Sequence, residues 1–300
     1  MIRVLFFGTS DFAVPSLEAL AQDERFTVVA VVTQPDRAVG RHAKVTEPPI
    51  KIAAEKFGIP VLQFERVKSD EAFAQLMTFP ADVGVVISFG QIIPDRILNL
   101  SVHGCINVHG SLLPKYRGAS PIQAAIKNGD AETGITIMKM DAQMDHGPLL
   151  TIARESIRAD DTGESLHDRL ALLGAKTLPD AIVSYLSNMT EPVEQDHTKA
   201  TYVKLLTRED GLIDWTLPAK DIEQTVRAYH PWPGTYTIED GKRLKILSVS
   251  LPSLSSPSSS LFPIRSCGDG RLLQLLRVQP EGKPPMDGDA YLRGRQTLKK

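Results

Sequence analysis

The chain has 300 residues, 42% hydrophobic and 23% charged, a composition typical of a globular protein with enough chain for two domains. Its net charge of -2 by itself argues against a nucleic-acid binder, and its two cysteines, Cys105 and Cys267, fit neither a disulfide framework nor a zinc site. No apolar run approaches the roughly 20 residues of a membrane-spanning helix and no signal peptide is evident, so we expect a cytoplasmic protein without membrane contact.

Short β-branched or aromatic runs alternate with amphipathic patterns over the first 155 residues. The predicted strands are Ile2 to Phe7, Thr27 to Val32, Asp82 to Ile87, Cys105 to His109, Thr136 to Met140 and Leu149 to Arg154. The predicted helices are Ala13 to Ala21, Pro49 to Phe57, Ser69 to Met77, Pro121 to Lys127 and Gly163 to Leu186. This alternation is typical of βαβ units, and it predicts an α/β domain around a parallel sheet.

A change of pattern follows the long helix. The polar stretch Asn188 to Thr201 lacks periodicity and is the predicted linker. Beyond it, the predicted strands are Tyr236 to Ile238, Leu244 to Val249, Phe262 to Arg265 and Leu272 to Gln279. Turn residues separate these runs, which predicts a small β-rich domain, either a sandwich or a barrel. The stretch Leu251 to Leu261, rich in Ser, Pro and Leu, is predicted to be a mobile loop.

The charge is divided unevenly between these two parts. Residues 199–300 carry 16 Lys and Arg against 11 Asp and Glu, a net charge of +5, whereas residues 1–198 carry 18 against 25, a net charge of -7. A basic C-terminal part favours contact with a polyanion. A solvated surface without a partner gives the same imbalance, so both interpretations stay open.

Polar side chains gather at the ends of two predicted strands. Because side chains alternate along a strand, Asn107 and His109 are predicted on one face, near the carboxyl end where α/β sheets bind ligands. The loop from Met140 to Gly147 carries Asp145 after the next strand. An amide, an imidazole and a carboxylate are therefore expected to converge.

Together these three groups favour acyl transfer without a covalent enzyme intermediate. The amide of Asn107 can donate to a developing oxyanion, and the imidazole of His109 can polarise a carbonyl and move a proton. A carboxylate such as Asp145 beside the ring favours its charged form. In the alternative interpretation Asn107 caps a turn, His109 is a hydrogen-bonded core residue and Asp145 begins a loop. Spacing alone leaves both open.

Two weaker signals stand apart from this group. His103, His109 and His146 could be considered as metal ligands, but their spacing matches none of the usual zinc motifs. The turn Gly8 to Ser10 after the first strand could bind an anion, but with a single glycine and no acidic residue placed to hold a ribose, a tight turn without a ligand is the favoured interpretation.

The segment from Asn107 to Gly118, followed by Asp145, closely resembles the 10-formyltetrahydrofolate-dependent formyltransferases. Further stretches that resemble this family are Phe7 to Ala13, Thr33 to Arg37 with Gly40 and Arg41, Leu206 to Trp215, Arg227 to Gly234 and Gln279 to Lys283. The resemblance covers nearly the whole chain. Its C-terminal stretches match the branch of the family that acts on methionyl initiator tRNA in translation initiation.

The resemblance implies an organisation in domains. A Rossmann-like parallel-sheet formyltransferase domain is expected over residues 1–188, a linker over 189–205 and an OB-like β-barrel that binds tRNA over 206–300. The implied reaction transfers the formyl group of 10-formyltetrahydrofolate to the α-amino group of methionyl initiator tRNA. The folate is a cosubstrate, no metal is expected, and the protein is expected to be a monomer.

The resemblance also implies roles for individual residues. Asn107 and His109 would stabilise the oxyanion, and Asp145 would orient and charge the imidazole. The residues expected to line the folate site are Ser111, Leu112, Leu113 and Pro114. The residues expected to contact the acceptor end of the tRNA are Arg37, Arg41 and Lys44. The loop that carries them, residues 38–46, is poorer in lysine than is usual in the family, and a solvated loop without a partner is the alternative.

Two other functions remain as alternatives. One is formyl transfer to a small amine, either glycinamide ribonucleotide or a nucleotide-linked amino sugar. Enzymes for these acceptors would carry the same trio of Asn107, His109 and Asp145 and the same folate loop, Ser111 to Pro114. The basic second domain separates this hypothesis from the first. The other is a nucleic-acid-binding module that has lost catalysis. The presence of all three residues of the trio argues against this alternative.

Overall fold

The computed structural model describes residues 1–39, 44–252 and 263–297, and the chain divides into two compact units. The first unit is formed by Met1–Gly118, Thr133–Glu155 and His167–Tyr202. The second is formed by Ala119–Glu132, Ser156–Leu166 and Val203–Lys300. The second unit therefore includes two segments from the first half of the chain. The domain boundaries at 188 and 205 stay a prediction.

Strands and helices agree in most places with the sequence pattern. The strands are β1 (Ile2–Gly8), β2 (Phe26–Thr33), β3 (Arg37–Val39), β4 (Lys44–Thr46), β5 (Val61–Gln63), β6 (Val83–Ile87), β7 (Cys105–His109), β8 (Arg117–Gly118), β9 (Glu132–Lys139), β10 (Leu149–Ser156), β11 (Tyr202–Val203), β12 (Thr235–Glu239), β13 (Lys242–Ser250), β14 (Ile264–Ser266), β15 (Leu272–Pro280) and β16 (Met286–Asp287). The helices are α1 (Val14–Gln22), α2 (Pro49–Lys56), α3 (Asp70–Leu76), α4 (Asp95–Leu98), α5 (Pro121–Lys127), α6 (Gly163–Leu186), α7 (Ala219–Ala228) and α8 (Gly288–Thr297). None of the helices in the described ranges is both long and apolar enough to cross a bilayer.

A seven-stranded sheet in the order β10-β9-β7-β6-β1-β2-β5 organises the first unit. The five consecutive strands β7, β6, β1, β2 and β5 run parallel to one another. All residues of β6 and the last five of β1 are buried, as expected for strands that are covered on both faces. The predicted α/β class with a parallel-dominated sheet is confirmed.

One part of the sheet differs from the predicted parallel arrangement. Strand β9 pairs antiparallel with β7, so that Asn107 lies opposite Met138 and His109 opposite Thr136. Helix α5, between these strands in sequence, belongs to the second unit and packs there against α7. The connection from β7 to β9 is therefore not the covering helix of a βαβ crossover, which parallel neighbours would require.

Close packing between neighbouring strands defines the core of the first unit. Phe7 and Phe89 meet edge to face with ring centroids 5.6 Å apart. Gly84 is paired in register with Cys105, and a Cβ on Gly84 would lie only 2.4 Å from the Cys105 Sγ atom. Burial raises the pKa of the Cys105 thiol to about 12, so this sulfur is a neutral packing group.

An antiparallel sheet forms most of the second unit. Strands β12, β13, β15 and β14 are neighbours in that order, and β16 pairs antiparallel with β15 at Arg277 and Val278, beyond the residues of β15 that pair with β14. Helix α7 places Ile222 and Val226 in a core with Leu244 and Leu275. The predicted β-rich C-terminal domain is confirmed, and an OB-like barrel is consistent with it. The predicted mobile loop from Leu251 to Leu261 lies, after its first two residues, outside the described residues.

The contact between Gly84 and Cys105 can be tested by a double-mutant cycle. We expect Gly84→Ala to lower the free energy of unfolding by about 1 to 3 kcal/mol, because the new methyl group overpacks the β6–β7 pair. In a Cys105→Ala background the clashing sulfur is absent, and the same glycine substitution should cost much less. Denaturant unfolding of the four proteins measures both penalties, and equal penalties would contradict this packing.

Candidate active site

Asn107 and His109 lie at the carboxyl end of β7, as the sequence predicts. Asn107 is half-buried between the buried residues Ile106 and Val108, and His109 is only 6% exposed. Two-residue periodicity places the amide and the imidazole on one face of the sheet. Both side chains reach Asp145, which follows β9.

The Asp145 carboxylate is the point at which these side chains meet. Its Oδ1 lies 3.4 Å from the Asn107 Nδ2 donor, and its Oδ2 lies 3.6 Å from His109 Nδ1. Oδ2 also accepts a hydrogen bond of 2.7 Å from the backbone N–H of Gly118. The predicted convergence of the trio is therefore present. The bond from Gly118 is the shortest of the three, and it sets the position of the carboxylate.

Hydrogen bonding assigns the two ring nitrogens of His109. Nε2 lies 2.9 Å from the backbone carbonyl of Tyr116, and because a carbonyl only accepts, Nε2 carries a hydrogen. Nδ1 is the nitrogen that faces Asp145. His109 is thus a hydrogen-bonded buried residue that also faces Asp145, and its catalytic role stays a prediction.

Asp145 and Tyr116, which both lie beside the His109 ring, have a backbone conformation that L-amino acids rarely adopt. Asp145 has a φ of 49° and Tyr116 a φ of 61°. Such left-handed conformations persist only where surrounding contacts enforce them, and they concentrate at functional sites. Here they direct the Asp145 carboxylate and the Tyr116 carbonyl towards the same imidazole.

The loop Ser111 to Pro114 is held by internal hydrogen bonds. The buried Ser111 hydroxyl donates to the carbonyl of Lys115 at 2.5 Å. The Thr136 hydroxyl donates to the Ser111 carbonyl and accepts from the Leu113 N–H, at 2.6 and 3.1 Å. Leu113 is buried, whereas Leu112 and Pro114 keep partly exposed surfaces. The assignment of this loop to a folate site stays a prediction.

Two of the residues predicted to contact tRNA begin strands that pair antiparallel, Arg37 in β3 and Lys44 in β4. Arg37 is exposed and pairs with Glu65 at 2.6 Å. Lys44 is the first residue of β4, and Arg41 lies outside the described residues. Their contact with tRNA stays a prediction.

His103 and His146, which the sequence offered as metal ligands with His109, have other partners in the structure. In the described ranges, no group of three or more His, Cys, Asp or Glu side chains is arranged to hold an ion. His146 instead lies 2.7 Å from Asp141 through Nδ1 and stacks on the ring of His197. His103 packs against the edge of Tyr185, with centroids 6.1 Å apart.

A second polar group beside the trio was not predicted from the sequence. Arg117 is only 1% exposed, and its guanidinium contacts Gln195, His197 and Tyr202. Gln195 in turn donates to the backbone carbonyl of Asp145 at 3.0 Å. Gln195 lies in the predicted linker, whose lack of periodicity gave no signal of burial. Arg117 lies in the segment from Asn107 to Gly118 that resembles the formyltransferases, but the resemblance implies no role for it.

Both the N-terminal and the C-terminal part of the chain are similar to formyl transferases. A family model described as "Formyl transferase" matches residues 2–182, and one described as "Formyl transferase, C-terminal domain" matches residues 205–296. A methionyl-tRNA formyltransferase of Geobacter metallireducens is 42% identical, with 98% of this chain and 96% of the relative covered. A methionyl-tRNA formyltransferase of Stutzerimonas stutzeri is also 42% identical, with coverages of 97% and 94%.

Solved structures of similar fold include two N-formyltransferases. The sugar 3N-formyl transferase WlaRD has a TM-score of 0.66 at 19% identity, covering 95% of this chain and 99% of its own. An N-formyltransferase from Helicobacter canadensis, solved with folinic acid and dTDP-3-aminofucose, has a TM-score of 0.66 at 19% identity, covering 93% and 100%. At this level of identity the likeness concerns the fold.

Proposed function

The chain belongs to the formyl transferase family, and we propose that it transfers the formyl group of 10-formyltetrahydrofolate to the α-amino group of methionyl initiator tRNA, forming N-formylmethionyl-tRNA. The observation that carries this proposal is the convergence of Asn107, His109 and Asp145 in a chain whose two halves both match the family. An amide, an imidazole and a carboxylate suit formyl transfer to an amine because the reaction develops an oxyanion and moves a proton.

The choice of acceptor rests on the extent of the similarity. Relatives named methionyl-tRNA formyltransferase are 42% identical over nearly the whole chain, including the basic C-terminal part, residues 199–300. The two solved N-formyltransferases share only 19% identity and support the fold alone. Charged initiator tRNA is therefore favoured over a small amine. The nucleic-acid module without catalysis is disfavoured because the trio is intact and assembled.

In the proposed reaction, the methionyl α-amine forms a bond to the formyl carbon and the carbonyl oxygen becomes an oxyanion. Asn107 Nδ2 has one hydrogen directed at Asp145, which leaves its second hydrogen for the oxyanion. His109 Nδ1 faces the same place and donates there when the ring is charged. The carbonyl re-forms as the bond to the folate nitrogen breaks. The proton that the amine loses passes by way of Asp145 to that nitrogen, so tetrahydrofolate leaves neutral at this position.

Folate binding is assigned to the loop after β7. 10-Formyltetrahydrofolate is a substrate here, and its flat pterin suits an apolar wall. Leu112 and Pro114 retain partly exposed apolar surface, whereas Ser111 and Leu113 are buried and hold the loop in shape. We assign direct contact to the first pair and support to the second.

Contact with tRNA is assigned to the paired strands β3 and β4 and to the second unit. The ion pair of Arg37 with Glu65 is exposed, so it contributes little to stability and a phosphate can replace the carboxylate. Arg41 and Lys44 are proposed to contact tRNA as well. In the second unit Lys242 and Lys245 are exposed on β13, and the Arg243 guanidinium lies 4.0 Å from the centroid of the Tyr236 ring. These cations suit a surface that follows a phosphate backbone.

The proposal includes the organisation of the chain. We assign catalysis to residues 1–188, a linker to 189–205 and tRNA binding to 206–300, and the family models, which match residues 2–182 and 205–296, support this division. We further propose that the protein acts as a monomer in the cytoplasm.

The proposed function is tested with a panel of acceptors. Purified protein is incubated with 10-formyltetrahydrofolate and, separately, methionyl initiator tRNA, free methionine, glycinamide ribonucleotide and an amino-sugar nucleotide. We expect formyl incorporation only into the charged initiator tRNA, measured by mass spectrometry of the released aminoacyl group. Formylation of a small amine at a comparable rate would replace the proposed acceptor.

Substitutions in the trio test the mechanism. We expect His109→Ala and Asp145→Ala each to lower kcat by at least about 100-fold, because each removes a proton-transfer group. Asn107→Ala should lower kcat by about 100- to 1000-fold through loss of an oxyanion donor. Steady-state formylation gives kcat, while circular dichroism and tRNA binding should stay near wild type. Asp160→Ala at an exposed position is the control, and near-wild-type turnover in any trio variant would refute its role.

Removal of Arg37 tests the tRNA surface. We expect Arg37→Ala to raise KM for charged tRNA and to reduce the slope of log affinity against log salt by about 1, since one phosphate contact is lost. The KM for 10-formyltetrahydrofolate should not change. Arg96→Ala, which breaks another arginine–carboxylate pair of the first unit at Asp70, is the matched control. An unchanged salt slope in Arg37→Ala would exclude this contact.

A further inference from the structure

We infer that Gln195, fixed by the buried guanidinium of Arg117, is a positioning residue that holds Asp145 in place for formyl transfer. This inference rests on the proposed function for its chemistry, but the geometry that supports it is independent of the acceptor. Neither residue touches the reacting atoms in the mechanism above. Their effect is exerted through the loop that carries the Asp145 carboxylate.

Both ends of the Gln195 side-chain amide are used. Its Nε2 donates to the backbone carbonyls of Asp145 and Gly147, at 3.0 and 2.7 Å. Its Oε1 accepts from two nitrogens of the Arg117 guanidinium, Nη2 at 2.7 Å and Nε at 3.3 Å. Carbonyls only accept and a guanidinium only donates, so the amide has a single possible orientation. Gln195 therefore clamps the Asp145 loop from its backbone side.

Arg117 is held by neutral groups. Besides Gln195, its guanidinium donates to the Tyr202 hydroxyl at 3.2 Å and to His197 Nδ1 at 2.8 Å. Among the described residues, no carboxylate forms an ion pair with it, although its side chain is almost completely buried. A buried cation without an anion is stable only when most of its hydrogens have acceptors. The acceptors, Gln195 above all, are thereby fixed in place.

Arg117 also acts on the other side of Asp145 through its own backbone. Its N–H donates to the carbonyl of Thr201 at 2.8 Å, and the next residue, Gly118, supplies the N–H that binds the Asp145 carboxylate at 2.7 Å. The backbone carbonyl of Asp145 and its carboxylate are thus both tied to groups that Arg117 orders. These two ties hold Asp145 at a φ of 49°, a conformation that needs such support.

Stacked imidazoles lie at the outer side of the guanidinium. The ring of His197 lies parallel to that of His146 with centroids 4.0 Å apart, and His146 Nδ1 lies 2.7 Å from Asp141. Because His197 Nδ1 accepts from Arg117, its hydrogen is on Nε2. His146 is the residue after Asp145, so this stack adds a further contact to the same loop.

The diagnostic substitution is Gln195→Glu. A glutamate keeps the acceptor for Arg117 and adds an ion pair, but it has no hydrogen for the carbonyls of Asp145 and Gly147 and repels them. A purely stabilising role of the Arg117 contact would be preserved in this variant, whereas the clamp would be lost. Gln143→Glu, at an exposed position in the same loop, adds an equal charge and is the matched control.

The measurements are steady-state formylation kinetics, thermal unfolding and NMR of the imidazole side chains in the full-length protein. For Gln195→Glu we expect kcat to fall about 10- to 100-fold, with both KM values within about threefold of wild type, because positioning affects the reacting groups rather than binding. The side-chain chemical shifts of His109 should change in Gln195→Glu and not in Gln143→Glu. The melting temperature should stay near wild type.

Near-wild-type kcat and unchanged His109 shifts in a folded Gln195→Glu protein would overturn the inference. If this variant does not fold, Arg117→Lys decides, since it keeps the buried charge but loses the forked pair with Gln195. A fall in kcat at constant KM then supports the clamp, and wild-type kcat refutes it. Inactive wild-type protein would refute the proposed function instead, while the NMR comparison would still test the clamp.

Discussion

The hydrogen bond from the Gly118 amide to the Asp145 carboxylate is the constraint on which the site depends. It joins Gly118, the last residue of β8, to the loop that follows β9. Without a fixed carboxylate, the amide of Asn107 and the imidazole of His109 would have no common partner. A backbone donor is well suited to this task because it has no side-chain freedom to lose.

The antiparallel pairing of β7 with β9 explains how the trio comes together. In parallel neighbours both carboxyl ends would lie at one edge, and the loop after β9 would share that edge with the loop after β7. Here β9 runs the other way, so Asp145 reaches the trio through a long loop whose chain turns at a φ of 49°. The backbone N–H and carbonyl groups in and beside this loop need hydrogen-bond partners from outside it, and residues 193–202 supply them. Val193 pairs with Leu149, and Gln195 binds the carbonyls of Asp145 and Gly147.

The local sequence pattern was sufficient to predict the elements whose apolar residues form a continuous buried surface. Strand β7, helix α5 and helix α6 have the predicted limits, because apolar spacing within a segment reports its own burial. The placement of Asn107 and His109 on one face of β7 was also predictable from strand periodicity. The direction of β9 was not, because its antiparallel pairing with β7 joins two segments that are separate in the sequence. Gln195 was missed for a related reason: a polar residue in an aperiodic stretch becomes buried only through partners that are distant in sequence.

Position 195 illustrates how site chemistry can restrict a side chain more tightly than hydrophobic packing does. The surroundings present two backbone carbonyls on one side and a guanidinium on the other. Glutamate satisfies only the guanidinium, a cationic side chain satisfies only the carbonyls, and asparagine is one methylene too short to span both at the observed distances. A primary amide on a two-carbon stem meets all of these demands at once. The neutral environment of Arg117 follows from the same requirement, because an anion at position 195 would pair with the guanidinium and release the loop that carries Asp145.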